Sequence, residues 1–112
     1  MGDGKQRSTA TIFIIESQYI DFRNSDQIKS ALKTLTEEGA SHLVLDISRV
    51  QYIDNMGLNT LLFTQRSCEA KDGKLTLLGL HGYVAQMLRV TRLERILLAD
   101  FLPSETPHQQ AA

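Results

Sequence analysis

The chain has 112 residues, of which 42% are hydrophobic and 22% are charged. This composition indicates one globular domain with enough apolar surface to form a core, and it excludes a chain that is disordered throughout. The near balance of 12 basic and 13 acidic residues removes the broad positive field on which non-specific nucleic-acid binding depends. A lone cysteine, a polar amino-terminal end and the absence of a long apolar stretch predict a cytoplasmic protein that does not insert into a membrane.

Two extended segments open the chain after a polar start. Residues 1–9 are small, polar or charged and predict a flexible arm. Ala10–Ile15 is rich in β-branched residues and predicts a strand. Ser17–Phe22 is a weaker extended segment, and we expect it to pair with the first strand as a hairpin-like antiparallel edge of the sheet.

A helix and a second strand follow these segments. Asn24 is an N-cap candidate, and Gln27 stands three residues later to complete a capping box. Apolar residues then recur at helical spacing up to Leu35, and Gly39 marks the end of the helix. Leu43–Ile47 is an apolar run without alternation, which is typical of a strand covered on both faces in a parallel sheet.

The second half of the chain repeats this alternation of helix and strand. Asp54 and Asn55 both suit the N-cap of a second helix. That helix is expected to end near Lys71, with Gly73 closing it. Leu75–Leu78 predicts a third apolar strand.

The last predicted elements are shorter. A third helix starts at about Tyr83, Leu93–Leu98 adds a short apolar segment, and residues 103–112 predict a flexible tail. The alternation predicts an α/β fold with a mixed, mostly parallel sheet of four to five strands packed with three to four helices. We expect this single domain to extend over residues 10–102.

Sequence motifs for catalysis are missing. The chain has no glycine-rich phosphate-binding loop and no nucleophile elbow. Its three histidines are scattered, without the spacing that metal ligation uses. Cys68 lies late in the second helix, where a small buried side chain is favoured over a nucleophile. The sequence therefore predicts a protein that is not an enzyme and carries no cofactor.

Three aspartates lie close to strand ends, where open parallel sheets gather ligands. Asp46 lies within a predicted strand, and Asp54 lies at a strand-to-helix turn. One hypothesis is that Asp21 and Asp54 together hold Mg²⁺. The other is that Asp54 caps the helix and Asp21 makes a turn hydrogen bond. We favour these structural roles and predict no metal site.

The segment Leu43–Leu62, L-V-L-D-I-S-R-V-Q-Y-I-D-N-M-G-L-N-T-L-L, resembles the core of the STAS domain (sulfate transporter and anti-sigma factor antagonist). Tyr19–Asn24 is similar to the family's turn before its first helix, and Gly73–Gly79 to its third core strand. Val84–Ile96 matches its closing pattern. The resemblance extends over Thr11–Phe101, and its most specific part is the I-D-x-x-G-L turn at its offset from L-D-I-S.

The resemblance implies a regulatory binding module of the anti-sigma factor antagonist type. In bacterial members, the residue before the glycine is a serine or threonine that is phosphorylated by a kinase that is also the anti-sigma factor. Here Met56 precedes Gly57, and neither Met56 nor Asn55 carries a hydroxyl that accepts a phosphate. The expected partner is an anti-sigma factor or a serine kinase-like ATPase. The expected partner-binding residues are Asp21, Asn24, Asp54, Asn55, Met56, Gly57 and Thr60.

Several side chains around this turn have two interpretations. Met56 either lies exposed on a binding surface or is tucked into the core, and we favour exposure. Thr60 and Ser48 are alternative phosphate acceptors, although ordinary polar or capping roles are favoured. Three arginines either dock an acidic partner or form a solvated fringe: Arg23, Arg49 and Arg66.

Two other classes of function stay open alongside the first. Some stand-alone STAS proteins resemble accessory subunits of membrane lipid transporters that bind the cytosolic ATPase, and such a subunit needs no phosphate switch. A nucleotide binder is disfavoured, because the chain has no glycine-rich loop to hold a phosphate. A weak homodimer is a further option.

Overall fold

The computed structural model describes residues 10–93 and, for the backbone alone, residues 98–101. The strands are β1 (Thr11–Ile14), β2 (Tyr19–Ile20), β3 (His42–Asp46), β4 (Tyr52–Ile53), β5 (Lys74–Leu80) and β6 (Leu98–Phe101). The helices are α1 (Ser25–Glu37), α2 (Asn55–Glu69) and α3 (Gly82–Val90). The expected arm over 1–9 and tail over 103–112 lie outside the described residues, as does most of the segment expected at Leu93–Leu98.

Four strands form the main sheet in the order β1-β3-β5-β6, and each pairing in it is parallel. Phe13 lies beside Leu45 and Leu45 beside Leu77, so apolar side chains from three strands form one row. The two leucines in this row are fully buried. Burial nevertheless alternates along both strands, because Val44 is half-buried and Leu78 is exposed, so the expected cover on both faces is wrong among the described residues. The predicted α/β fold is confirmed.

The expected antiparallel edge is wrong, because β2 does not turn back along β1. The Ile15 N–H still bonds to the Asp46 carbonyl of β3, at 3.0 Å. The chain then leaves the main sheet, and the Gln18 carbonyl accepts from the N–H groups of Gln51 and Tyr52. These bonds direct β2 alongside β4 as a separate parallel pair. Among the described residues every strand pairing is therefore parallel, and the sheet is not mixed.

The hydrophobic core is formed by the strands together with the buried sides of all three helices. Its largest fully buried side chains are Ile20, Leu32, Leu43, Leu45, Ile47, Ile53, Leu61, Leu75, Leu77, Leu80 and Leu88. Both members of the β2–β4 pair contribute to this list, so the small parallel pair is anchored in the same core as the main sheet.

The predicted capping box at the start of α1 does not form. Asn24 occupies the N-cap position, but its side chain makes no bond to the first turn of the helix. Its Oδ1 instead accepts from the Asp21 N–H at 3.0 Å, and its Nδ2 donates to the Tyr19 carbonyl at 2.8 Å. Asn24 therefore stabilises the loop before α1 rather than the helix itself.

The end of α2 lies close to its prediction. The helix ends at Glu69, two residues before Lys71, and the Gly73 N–H donates to the Cys68 carbonyl at 2.8 Å, while Asp72 adopts the left-handed conformation with a φ of 61°. Glycine is needed at position 73 for another reason: a Cβ there would overlap the Ser41 carbonyl. Gly73 thus allows two backbone segments to approach closely at the start of β5.

Candidate functional site

Two loops meet at the carboxyl ends of β2 and β4. The register of this parallel pair places Ile20 beside Ile53, so the residues that follow each strand begin at one edge. The Asp54 N–H donates to the Ile20 carbonyl at 3.3 Å and joins the two segments directly. The seven residues predicted to bind a partner lie in or directly below these loops.

Asp54 holds the two loops together with both of its carboxylate oxygens. Oδ1 accepts from the Gly57 N–H at 2.9 Å, which caps the amino-terminal end of α2 as predicted. Oδ2 accepts from the Phe22 N–H at 3.0 Å, across to the other loop. One side chain therefore fixes the position of the α2 turn relative to the loop before α1.

Asp21 lies buried beneath the loop and pairs with Arg23. Its Oδ2 accepts from Arg23 Nη2 at 2.8 Å, and its Oδ1 accepts from the Arg23 backbone N–H at 3.0 Å. The side-chain hydrogen bonds from Arg23, aided by its backbone N–H and its charge, hold the pKa of Asp21 below its ordinary value. The predicted turn hydrogen bond of Asp21 is confirmed.

These contacts give both carboxylates the structural roles favoured over magnesium binding. Asp21 turns its oxygens toward a guanidinium, and both Asp54 oxygens accept backbone N–H groups. Within residues 10–93, no group of three or more histidine, cysteine or acidic side chains is arranged to hold a metal ion.

Gly57 is required where α2 crosses β2. A Cβ at this position would overlap the Ile20 carbonyl oxygen and lie 2.7 Å from Cγ1 of Ile53. Real Cβ atoms do not approach that closely, so a side chain would push α2 away from the β2–β4 pair. The glycine of the recognised motif therefore sets how deeply the start of α2 sits in the fold.

The first turn of α2 and the neighbouring loop present apolar side chains to solvent. Met56 is 46% exposed, so the prediction that it lies at the surface is confirmed. Phe22, whose backbone bonds to Asp54, is 69% exposed, and Asn55 is also exposed. We call Phe22, Asn55 and Met56 the turn patch.

Phe22 was not among the residues predicted to bind a partner. It stands between a buried aspartate and an exposed arginine in a loop that is otherwise polar. An aromatic residue in such a loop, next to the recognised motif, is the signal that could have found it. Its exposure matters only together with that of Met56, because a group of exposed apolar side chains is informative and a single one is not.

Thr60 lies below the turn patch rather than on it. Its side chain is 3% exposed, and its hydroxyl donates to the Met56 carbonyl at 3.1 Å. A phosphate cannot reach this hydroxyl without opening the helix. Ser48 is half-buried, and its backbone N–H bonds to Asp46. The surface or capping role favoured for Thr60 is wrong, because its hydroxyl is buried and bonds within the helix.

The three predicted arginines do not share one face. Arg23 borders the turn patch and places its guanidinium 3.7 Å from the centroid of the Tyr19 ring. Arg66 lies ten residues beyond Met56 on α2, roughly 15 Å along the helix axis. Arg49 is exposed in the loop between β3 and β4, where its charge acts on Asp46.

A pair of tyrosines flanks the site at the start of β4. The rings of Tyr52 and Tyr83 stack with centroids 5.5 Å apart and an interplanar angle of 9°. Both side chains are nearly half exposed. The contact ties the first turn of α3 to the strand that leads into Asp54.

The remaining candidate nucleophiles have structural positions. Cys68 is fully buried, as predicted, and burial raises the pKa of its thiol. His81 places Nε2 2.7 Å from the Ser48 carbonyl and connects α3 to the β3–β4 loop. His42 is the first residue of β3.

The chain belongs to the STAS domain family, whose model matches residues 4–108. The matched region contains the whole β2–β4 edge and the turn patch. Among residues 10–93, no helix is long and apolar enough to cross a membrane.

Similar proteins include regulators and a transporter-family protein. The anti-sigma-B factor antagonist of Listeria monocytogenes is 27% identical over 93 residues, which are 83% of this chain and 82% of the relative. Unphosphorylated SpoIIAA, an anti-sigma factor antagonist, superposes with a TM-score of 0.71 at 16% identity, covering 93% of this chain and 86% of SpoIIAA. A sulfate transporter family protein from Wolinella succinogenes gives a TM-score of 0.70 at 24% identity, covering 91% and 85%. Both structural likenesses concern the fold.

Proposed function

We propose that this chain is a regulatory binding module of the anti-sigma factor antagonist type. It docks an anti-sigma factor or a serine kinase-like ATPase through the turn patch, and it does so without phosphorylation at Met56. The relatives named anti-sigma-B factor antagonists support the general role. SpoIIAA shares the fold of this chain, and its structure is known in unphosphorylated and phosphorylated forms. This likeness supports the same assignment.

The exposure of Met56 is the observation that carries this proposal. It stands directly before the motif glycine, 46% exposed, with Phe22 exposed on the adjoining loop. A thioether and an aromatic ring bury much apolar area on contact, and methionine adapts its shape to a partner surface.

The support beneath the patch is rigid. Asp54 bonds both loops, the Asp21–Arg23 pair holds the loop before α1, and Gly57 seats the helix against Ile20. A surface fixed in advance loses little conformational entropy on binding. The buried members of the predicted site therefore serve by positioning the turn patch.

The same geometry leaves no replacement acceptor at the turn. Asn55 and Met56 have no hydroxyl, and the Thr60 hydroxyl is buried under the Met56 carbonyl. In relatives that carry a serine or threonine at this position, a phosphate adds roughly 1.5 to 2 negative charges at the start of the helix. Regulation here consequently does not depend on a phosphate at this turn.

Alanine substitutions in the patch test the docking surface. The partner, identified by capture from the native cell lysate, is purified and its Kd for the chain is measured by calorimetry. Met56→Ala and Phe22→Ala should each weaken binding by at least about five-fold, which corresponds to roughly 1 kcal/mol. Val90→Ala is the matched control, because Val90 is an exposed apolar residue on α3. Equal affinity of the patch variants and the control would refute the patch.

A serine substitution tests the absence of the phosphate switch. Wild-type chain incubated with the purified partner and ATP should keep its mass, whereas Met56→Ser should gain one phosphate if the partner is a serine kinase. Phosphorylation of the wild-type chain at any residue of the turn would contradict the proposal.

A subunit role in a membrane lipid transporter is the second candidate. The missing hydroxyl favours it, because a permanent subunit needs no phosphate switch. Stoichiometric capture of a transporter ATPase, with no kinase-like protein or anti-sigma factor, would select this candidate.

A further inference from the structure

The thioether of Met56 is the most accessible sulfur among the described residues. The other described methionine, Met87, is half-buried and packs against the hydrophobic core. The single thiol, Cys68, is fully buried. An oxidant that arrives from solvent therefore meets Met56 before it meets either of the other two sulfur atoms.

The first turn of α2 suits an oxidised side chain. The N–H groups of Asn55 and Met56 begin the helix and have no backbone acceptor among the described residues, whereas Gly57 and Leu58 bond to Asp54. A sulfoxide oxygen carries partial negative charge, which the amino-terminal end of a helix stabilises. The oxidised side chain also remains in water, so the free protein has no buried polar group to compensate.

A docked complex responds differently to the same oxygen. Met56 and Phe22 offer an apolar contact, and a sulfoxide at its centre would replace apolar area by a polar group that loses its water on docking. The modification thus weakens the complex and leaves the free fold intact. A switch requires this difference between two states.

We propose that Met56 is a reversible oxidation site, and that its sulfoxide releases the partner in place of the phosphate that this turn cannot carry. The second part of this inference rests on the proposed function. Hydrogen peroxide transfers one oxygen atom to the sulfide, which loses two electrons, and the peroxide leaves as water. A methionine sulfoxide reductase reverses the step: two thiols become a disulfide, and the oxygen leaves as water.

The oxidation site is tested on the full chain with hydrogen peroxide as the probe. Peptide mass mapping follows the gain of roughly 16 Da at each methionine over time. Oxidation of Met56 should be at least about five-fold faster than that of Met87, with an unchanged circular dichroism spectrum, and a sulfoxide reductase should restore the mass. Equal rates at Met56 and Met87, or loss of the folded spectrum before Met56 reacts, would overturn the site.

The effect on docking is tested by dividing the Kd after peroxide treatment by the Kd before it. For the wild-type chain this ratio should be about ten or more, because a polar group is buried in an apolar contact. After treatment with the reductase the Kd should return to its starting value. Met56→Leu cannot be oxidised at this position, so its own ratio should stay near one, whatever its starting affinity. An unchanged wild-type ratio, or an equal rise in Met56→Leu, would overturn the release mechanism.

The two proposals fail in different ways. If the reduced wild-type chain binds no anti-sigma factor or kinase-like ATPase, the proposed function fails, while the mass mapping still decides whether Met56 is the oxidation site. If the reduced chain binds and the oxidised chain binds equally well, only the further inference fails.

Discussion

Replacing Gly57 by alanine tests whether the motif glycine seats α2 against β2. The new Cβ would overlap the Ile20 carbonyl and press on Ile53. Relief of this overlap moves the Ile20 carbonyl away from the Asp54 N–H, a bond worth about 1 kcal/mol. Overpacking costs roughly 1–3 kcal/mol, and alanine returns about 1 kcal/mol of helix propensity relative to glycine. The free energy of unfolding should therefore fall by about 1–3 kcal/mol.

Urea unfolding followed by circular dichroism measures this loss. With a slope of about 1–3 kcal/mol/M, the midpoint should fall by roughly 1 M. Asn59→Ala is the control: Asn59 is exposed on the same helix, and alanine there should raise stability by a few tenths of a kcal/mol. If Gly57→Ala is as stable as wild type, the argument from close approach is wrong.

The remaining predictions concern one cap, one ion pair and one thiol. Asp54→Ala should lower the free energy of unfolding by about 2 kcal/mol, and Asp54→Asn should lower it by less, because only alanine leaves two backbone N–H groups without an acceptor. The urea midpoints of the two variants measure this difference. Hydrogen bonds from Arg23 hold the pKa of Asp21 below its ordinary value, so the stability that Asp21 contributes is complete at neutral pH and is lost as the pH falls below about 4. Asp21→Asn should flatten that acid limb in a series of unfolding measurements, and an identical limb would contradict the pairing. Cys68 should react with a disulfide reagent only after unfolding, since burial raises the pKa of its thiol, and rapid reaction of the native chain would refute its burial.

Strands with strong local signals are predictable. The runs at Leu43–Ile47 and Leu75–Leu78 are predictable as strands because both are short apolar segments that become central strands, although burial alternates along each of them. The cap at Asp54 is equally predictable, because its side chain bonds within its own turn. Each of these elements depends on contacts close in sequence or on burial alone.

The pairing of β2 is not predictable from local sequence. Two extended segments separated by a few residues favour a hairpin, yet the partner of β2 lies more than thirty residues away. The Gln18 carbonyl selects that partner through Gln51 and Tyr52, and nothing near Gln18 signals it. The capping box predicted at Asn24 is wrong for a local reason, because the Asn24 side chain bonds back to the preceding loop at Asp21 and Tyr19 rather than to the helix.

The site is predictable in position and less so in detail. The resemblance to STAS domains places Met56 where bacterial members carry a residue that a kinase reaches, which predicts exposure, and the Met56 side chain is exposed. Thr60 carries a hydroxyl one helical turn later, but only the packing of α2 against Ser25 reveals that it is buried. Phe22 is an apolar residue that is exposed. Its exposure follows from tertiary packing and cannot be predicted from its neighbours in the sequence.

Amide exchange at the turn patch tests most directly whether this chain docks through it. The Asn55 and Met56 N–H groups have no backbone acceptor among the described residues, so NMR should find fast hydrogen–deuterium exchange at both in the free chain. Addition of a saturating anti-sigma factor or kinase-like ATPase should slow exchange at these two amides, while Val90 on α3 stays unchanged. Binding that leaves Asn55 and Met56 exchanging as fast as in the free chain, with protection elsewhere, would contradict docking through the turn patch.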